Sequence, residues 1–274
     1  MAARILLVGS VMMDLILRCE RAPEPSESVL GNDTAMRQEA KAAMLRSQPL
    51  GQESIKDGAN TGFVAITLED SGQNRLIIFP GANMLTPPDE LEKAFEDDYD
   101  AVLLQFEIPL ESNAKAIEIA NKKGIITVLD AGPAQDYPLE KLPPVTILSP
   151  NETETKALVD IFPADQETCR AASQKLMARN KCKYVVLKLG ERGSYIYGEG
   201  LDLMVPSYKV EAVDPTAAGD AFTGTLAKAY VEMGDLVEAV KYASASGALT
   251  CTQLGAQPSL PTAAEIEAFL AKQK

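Results

Sequence analysis

The chain of 274 residues is 46% hydrophobic and 24% charged, which is typical of a folded globular protein and excludes the disordered and fibrous classes. Its net charge of −13 disfavours nucleic acid and anionic membrane surfaces as partners. Because the chain contains no histidine, Ser-His-Asp and Cys-His catalysis are excluded, and a general base at neutral pH has to be a carboxylate, a lysine, a cysteine or a tyrosine.

The first predicted elements are strands. The short apolar run 4–8 predicts a buried strand and is too brief for a signal peptide or a membrane span. Two further runs, 62–66 and 75–79, flank the turn Asp70-Ser71-Gly72 and predict a β-hairpin. This hairpin, within 61–80, would pair with early strand residues at about 15–31 and form a small sheet suited to cover an active site or pack against a second subunit.

The segment 34–60 differs in character from its flanks. Residues 34–48 carry alanines and methionines at helical spacing among polar residues, which predicts a modest amphipathic helix capped by Asp33 or Thr34. The sequence Lys56-Asp57-Gly58-Ala59-Asn60 then predicts a turn.

Strand and helix patterns alternate through the rest of the chain. Short apolar runs predict strands at 101–104, 125–129, 145–148 and 184–187. Helical spacing predicts helices at 88–96, 112–123, 152–160 and 167–180, then, after a hairpin at 194–197, at 218–233, 236–249 and from residue 263. This alternation predicts an α/β fold with a mainly parallel, doubly wound sheet.

The strongest chemical signal is the stretch 214–224, which reads Asp-Pro-Thr-Ala-Ala-Gly-Asp-Ala-Phe-Thr-Gly and opens a predicted helix. Its small residues let backbone amides converge at a helix N-terminus, an arrangement that binds anions. Asp220 in the first turn could take a proton from a hydroxyl while the amides of 217–219 stabilise charge on a transferred phosphoryl group. The alternative is that the aspartate simply caps the helix.

Three other segments leave alternatives open. Asn151 and Glu154 open a helix after a strand, where they either form a capping box or reach a hydrated Mg²⁺ near phosphates. Asp14 and Glu107 follow strands at a carboxyl edge, where open α/β sheets bind ligands, although either can be a solvated loop residue. The glycines of 188–193 either permit close approach to a nucleotide or form a hairpin turn.

The stretch 214–224 resembles the C-terminal signature of the ribokinase family of carbohydrate kinases, and the other motifs follow in family order. The resemblance implies a single domain, 1–274, built as a ribokinase-like three-layer α/β sandwich with a mainly parallel central sheet and a small β-sheet lid. It also implies that Asp220 is the catalytic base, and that the anion hole for the γ-phosphate is formed by Ala217, Ala218 and Gly219.

The same resemblance implies the remaining binding residues. ATP would contact Asn151, Glu154, Lys188, Leu189, Gly190, Glu191, Arg192, Gly193, Gly219 and Ser244. Asn151 and Glu154 would also position Mg²⁺ and phosphate. A potassium ion would be held by Asp214, Thr216, Thr250, Gln253, Gly255 and Ser259. The sugar would contact Asp14, Glu107 and Asp220.

Two departures from the family pattern fall on the sugar side. The family's Gly-Gly-Lys-Gly-Ala-Asn segment is missing, together with a strand and a helix after it, since only the shortened, atypical segment 34–60 fills that space. Met12 stands where the family usually has Asn, which removes a donor and an acceptor for a sugar hydroxyl. Each lost contact costs roughly 1–3 kcal/mol, so acceptor binding should be weakened.

We therefore predict a cytoplasmic, ATP-dependent carbohydrate kinase, of reduced activity, that phosphorylates a sugar hydroxyl. Conversion of D-ribose to ribose 5-phosphate is the first expectation. The alternatives are a catalytically impaired ATP-binding relative, or a kinase for another small acceptor such as a nucleoside, a fructose phosphate or a vitamin. We expect a homodimer formed through the lid, and neither nucleic acid nor membrane as a partner.

Overall fold

The computed structural model describes residues 3–24, 26–40, 58–70 and 74–273. Its strands are β1 Ile5–Val8, β2 Val11–Cys19, β3 Gly31–Ala40, β4 Gly62–Glu69, β5 Asn74–Phe79, β6 Ala101–Leu104, β7 Ile126–Asp130, β8 Ile147–Ser149, β9 Tyr184–Lys188, β10 Ser194–Gly198 and β11 Leu201–Val205. Its α-helices are α1 Glu90–Ala94, α2 Leu110–Lys123, α3 Glu152–Val159, α4 Gln166–Asn180, α5 Ala218–Met233, α6 Leu236–Thr250 and α7 Ala263–Ala271. Within these ranges no helix has the length and apolar character needed to cross a bilayer.

Seven strands form a large sheet in the order β1-β6-β7-β8-β9-β10-β11. The first five run parallel, and β10 is antiparallel to both β9 and β11. The parallel strands are apolar along nearly their whole length because helices cover both faces of the sheet. The predicted α/β class and mainly parallel sheet are confirmed.

Helices on the two faces create two separate cores. Successive residues of a strand point to opposite faces, so Leu104 of β6 packs with Ile117 of α2 and Leu176 of α4. Its neighbour Leu103 packs on the other side with Leu226 of α5, in a core that α6 completes. This arrangement confirms the three-layer sandwich.

A second, four-stranded sheet has the order β3-β2-β4-β5. β4 and β5 pair antiparallel, and β4 pairs in parallel with β2, which spans Val11–Cys19 and so overlaps the expected range 15–31 only at its start. Ser71 and Gly72 of the predicted turn lie outside the described residues. One face of this sheet buries Met12, Val64 and Ile66, while the opposite face leaves Ile77 and Phe79 exposed. This sheet is called the lid below.

The helix predicted for 34–48 is wrong over 34–40, where the chain forms most of β3. These residues pair antiparallel with β2, Thr34 opposite Leu17 and Ala35 opposite Ile16. Pairing with β2 overrides the weak local helical pattern, so the helical spacing of the alanines predicted the wrong structure here. Residues 41–48 of the predicted helix lie outside the described residues, as do Lys56 and Asp57 of the predicted turn.

The Asn83 side chain holds the start of the lid by hydrogen bonds to the backbone. The Val11 amide donates to Asn83 Oδ1 at 3.0 Å, and Asn83 Nδ2 donates to the carbonyls of Val11 and Pro80, both at 2.9 Å. A Cβ at Gly62 would lie 2.3 Å from Asn83 Nδ2, so the first residue of β4 has to be glycine for this approach. Since Val11 begins β2, the Asn83 side chain fixes where the lid leaves the core.

Candidate active site

Helix α5 begins at a sharp turn built from small residues. Ala217 has a left-handed backbone with φ of 62°, and the helix begins at Ala218, as the sequence predicts. The Ala221 amide closes the first helical turn onto the Ala217 carbonyl at 2.8 Å. A helix start leaves its first amides without intrahelical acceptors, so this turn carries a partial positive charge. Gly219 is exposed, which leaves that charge accessible to a ligand.

Asp220 lies in the first turn of α5, at the carboxyl edge of the large sheet. It lines a narrow crevice with Thr223 of α5. Its other lining residues are Leu103 and Gln105, in and just after β6, and Asp130 at the end of β7. A carboxylate at a helix start beside strand ends has the surroundings expected of a general base for a bound hydroxyl.

Lys188, predicted to contact ATP, is engaged within the protein. Its Nζ donates to Asp130 Oδ1 at 2.8 Å and to Oδ2 at 2.7 Å. Burial by itself would lower the pKa of Lys188, but the neighbouring carboxylates of Asp130, Glu154 and Asp220 together raise it. The lysine therefore stays positively charged next to Asp220.

Asp130 and Thr223 were missed in the sequence analysis. Asp130 ends β7, a parallel strand of the large sheet. Because open α/β sheets bind ligands at the carboxyl ends of their strands, the argument applied to Asp14 and Glu107 also predicts a role for Asp130. Thr223 lies within the stretch 214–224, but its contact with Asp130 could not be predicted because it joins residues 93 positions apart.

Asn151 and Glu154 form a capping box at the start of α3. The Glu154 amide donates to Asn151 Oδ1 at 2.9 Å, and the Asn151 amide donates back to Glu154 Oε2 at 2.6 Å. Asn151 Nδ2 also donates to Glu154 Oε1 at 2.8 Å. The capping box, one of the two alternatives drawn from the sequence, is therefore present. Both side chains nevertheless lie at one helix start near Lys188, since Asn151 is bridged to Lys188 along the sheet edge.

The segment 188–193 turns tightly after β9. Residues Gly190–Arg192 form a single 3₁₀ turn, and Gly193 follows with φ of 94°. A Cβ at Gly193 would lie 2.1 Å from the Val205 carbonyl of β11, so this glycine serves close packing against a strand. The Arg192 guanidinium donates to the carbonyls of Pro163 and Ala164, both at 2.6 Å, and so braces the loop before α4.

The residues predicted to hold a monovalent cation meet only in part. Asp214 is 2% exposed, and its carboxylate accepts the amides of Thr216 at 3.0 Å and Gly255 at 2.9 Å. The hydroxyls of Thr250 and Ser259 instead donate to carbonyls of their own turns, and the Gln253 side chain is exposed. Among the described residues, no lysine or arginine forms an ion pair with Asp214.

On the predicted sugar side, Asp14 and Glu107 are buried, so neither is a solvated loop residue. Asp14 lies in β2, and Glu107 accepts a short hydrogen bond from Ser10 Oγ. Met12 is completely buried, with its sulfur 3.5 Å from Asn83 Nδ2. Ser244, predicted for the adenine pocket, is buried in α6 and its hydroxyl donates to the Val240 carbonyl at 2.8 Å.

Comparison with known proteins decides the family. The sequence profile described as pfkB family carbohydrate kinase matches residues 27–263. The chain belongs to the pfkB family of carbohydrate kinases. It is 30% identical over 295 residues to the bifunctional ribokinase/ribose-5-phosphate isomerase A of Fructilactobacillus sanfranciscensis, covering 94% of this chain and 54% of that protein. The chain thus spans about half the length of that relative.

Two solved structures resemble this pfkB family member over almost its whole length. A ribokinase from Thermotoga maritima is 30% identical with a TM-score of 0.82, covering 98% of this chain and 99% of that one. Arabidopsis thaliana ribokinase complexed with ribose and ATP is 28% identical with a TM-score of 0.80, with coverages of 98% and 99%. The resemblance drawn from 214–224 is confirmed, and so is the class of ATP-dependent carbohydrate kinase.

In this kinase a cleft of about 90 Å³ separates the lid from the core near Asp214. The lid contributes mainly apolar side chains, Ile16, Ile66 and Leu68, together with Arg18 and Asp33. The core side is formed by Asp214, Thr216, Leu254 and Gly255. The lid therefore stands over the segment that leads into α5, as expected of a cover for this site.

Two glycines of the 188–193 turn should differ sharply in their tolerance of a side chain. Gly193→Ala forces a Cβ against the Val205 carbonyl and should lower the free energy of unfolding by more than about 3 kcal/mol. Gly190→Ala is the matched control, because Gly190 also has a positive φ of 55° but a Cβ there meets nothing within 4 Å, so it should cost only about 1 kcal/mol. Urea denaturation measures both, and equal losses would contradict the close packing.

Proposed function

We propose that this chain transfers the γ-phosphoryl group of ATP to a hydroxyl of a sugar, with D-ribose as the acceptor and ribose 5-phosphate as the product. The observation that carries the proposal is the position of Asp220. Its carboxylate lies in the first turn of α5, next to the small-residue turn 217–219 and the carboxyl ends of β6 and β7. A base and an anion site thereby adjoin one another.

In the proposed reaction, Asp220 accepts the proton of the acceptor's primary hydroxyl while the hydroxyl oxygen attacks the γ-phosphorus of ATP. The bond between that phosphorus and the β–γ bridging oxygen breaks, and ADP leaves with the electron pair. The amides of Ala217 and Gly219 hold the transferred group by donating to its oxygens, and the Ala218 amide, which donates to the Pro215 carbonyl at 3.2 Å, would have to exchange that acceptor to join them. The proton on Asp220 passes to solvent when the products leave.

For the nucleotide, the proposed contacts run along the turn after β9 and onto α6. They comprise Asn151, Glu154, Lys188, Leu189, Gly190, Glu191, Arg192, Gly193, Gly219 and Ser244. Lys188 and Arg192 have protein partners, so we assign the backbone of this turn, more than those two side chains, to contact with ATP.

A magnesium ion would lie near Asn151 and Glu154. Both Glu154 oxygens accept hydrogen bonds from Asn151, but a carboxylate has further lone pairs that can accept from metal-bound water. The pair therefore fits a hydrated Mg²⁺ better than direct coordination. The ion, when bound, would screen the charge of the phosphates.

A potassium ion would lie at Asp214. A carboxylate that is 2% exposed and accepts two backbone amides offers the buried negative charge that a monovalent cation needs. Backbone oxygens of Thr216, Thr250, Gln253, Gly255 and Ser259 are the further proposed ligands. The ion would stabilise the segment that leads into the anion site.

A less polar acceptor is the second candidate. Met12 is buried in the inner face of the lid in place of a polar residue, and the lid side of the cleft is mainly apolar. Both observations favour an acceptor with an apolar part, of which a nucleoside is the leading example. Asp14 and Glu107 remain the proposed contacts for sugar hydroxyls.

ADP release tests the proposal and separates the candidates. The assay supplies ATP and Mg²⁺ with ribose, a nucleoside, a fructose phosphate or a vitamin alcohol, with and without potassium. Ribose-dependent release that potassium increases supports the first proposal. Release with the nucleoside alone favours the second candidate, and ATP binding without release on any acceptor would favour an impaired relative.

Asp220→Asn should lower kcat about 10³-fold, because the amide cannot accept the proton of the hydroxyl. Asp235→Asn is the matched control. Asp235 also opens a helix, α6, but its carboxylate only accepts the amides of Val237 and Glu238, so kcat should stay unchanged. Asp220 lies inside the helix, whose N-cap is Ala217, so it is not the cap itself. If both variants keep the full rate, the proposed base is wrong.

Asn151→Ala tests whether Asn151 only caps α3 or also positions Mg²⁺ and phosphate, as proposed. Loss of the cap should lower the free energy of unfolding by about 1 kcal/mol, and the KM for MgATP should rise several-fold. Asp165→Ala removes an equivalent capping box at α4 and should cost the same stability without a change in KM. An unchanged KM in both variants would contradict the role with Mg²⁺ and phosphate, and Asn151 would act only as the cap of α3.

We also propose a homodimer that forms through the outer face of the lid. Ile77 and Phe79 on this face are 62% and 54% exposed, and a sheet face of this kind is typical of a subunit contact. Ile77→Lys should convert a dimer to a monomer in light scattering, while Phe162→Lys, at an exposed phenylalanine between α3 and α4, should not. A monomeric unmodified chain at every concentration would contradict the dimer.

A further inference from the structure

Lys188 and Asp130 form a charge pair inside the protein at the carboxyl edge of the large sheet. Their side chains are only 12% and 13% exposed, and the ammonium bonds both carboxylate oxygens at 2.7 to 2.8 Å. The lysine ends β9 and the aspartate ends β7, so the pair spans the end of β8 between them. Its geometry is fixed by three neighbouring strands.

The pair is tied to the helix that carries Asp220. Thr223 Oγ1 donates to Asp130 Oδ2 at 2.7 Å, and Lys188 Nζ lies 3.4 Å from the same hydroxyl. Thr223 is one turn beyond Gly219, and a Cβ added at Gly219 would be 3.8 Å from Lys188 Nζ. The ammonium thus lies close to Gly219, in the first turn of α5.

Stability alone does not account for this pair. Taking two charges out of water costs free energy that their attraction barely repays, and apolar replacements of similar volume are often as stable or more so. Elsewhere on the sheet the same chain fills strand positions with leucine and valine. A charge pair at the one edge where Asp220 lies therefore calls for a role in the reaction.

We propose that Lys188 is a positioning residue for phosphoryl transfer, held by Asp130 and Thr223 so that its positive charge stays next to the first turn of α5, close to Gly219. The inference rests on the proposed reaction at Asp220. In the proposed reaction the negative charge of the transferred group lies at the amides of 217–219, and a cation held close to them stabilises that charge without reorganising during the reaction. This role goes beyond a contact of the 188–193 backbone with ATP.

The central test replaces the pair in two steps. Lys188→Met leaves Asp130 buried without its partner and should lower both the unfolding midpoint and kcat. The double variant D130N/K188M removes both charges, so the unfolding midpoint should recover, while kcat should stay about 100-fold below that of the unmodified enzyme with the KM for the acceptor unchanged. A purely structural pair would instead recover kcat together with the unfolding midpoint, and that result would overturn the proposal.

Thr223→Val offers a graded second test, with Thr225→Val as its matched control. Both threonines are buried in α5, but the Thr225 hydroxyl bonds Ser246 of α6 at 2.9 Å and faces away from the pair. We expect Thr223→Val to lower kcat about tenfold and Thr225→Val to leave it unchanged. Equal rates in the two variants would overturn the part assigned to Thr223.

Asp220→Asn, assayed alongside, separates this inference from the proposed function. If Asp220→Asn keeps the full rate, the reaction does not use this site and the proposed function is wrong. If Asp220→Asn is inactive while D130N/K188M keeps the kcat of the unmodified enzyme, only the role of Lys188 is wrong.

Discussion

Apolar packing of α5 against the large sheet fixes the site. Phe222 and Leu226, two and six residues after Asp220, are buried in one core with Leu103 and Val128 of the sheet. Sliding the helix along the strands would expose these side chains, at a cost of about 1.5–3 kcal/mol each. The first turn of α5 therefore has one position relative to the strand ends, and the amides and the carboxylate it carries are held where strand-end residues can meet them.

Features that depend on local pattern could be predicted from the sequence. The parallel strands, the helices between them and the start of α5 at Ala218 follow from apolar runs, periodicity and small residues near in sequence. β3 could not be predicted, since its residues follow β2 and not their own helical spacing. The Lys188–Asp130 pair was also missed, because its partners are 58 positions apart and neither residue alone distinguishes a site from a solvated strand end.

The lid explains why the acceptor side differs from the nucleotide side. Its inner face is built from Met12, Val64 and Ile66, and Asn83 fixes its root to the core by three hydrogen bonds to backbone. Asn83 has little capacity left to bind a hydroxyl, so it does not replace the polar group that methionine lacks. In the proposed function, the acceptor would therefore meet apolar lid residues and buried carboxylates, whereas the nucleotide would meet backbone amides and a lysine.

The balance of charge around Asp220 constrains how a polyanion can bind there. In the described part of the chain, the carboxylates of Asp130, Glu154 and Asp220 act on the single ammonium of Lys188. Carboxylates thus outnumber the cation at this edge, which disfavours a triphosphate because it is itself negatively charged. The amides of α5 offset only about half a unit charge. This imbalance is the electrostatic reason for including Mg²⁺ in the proposed reaction.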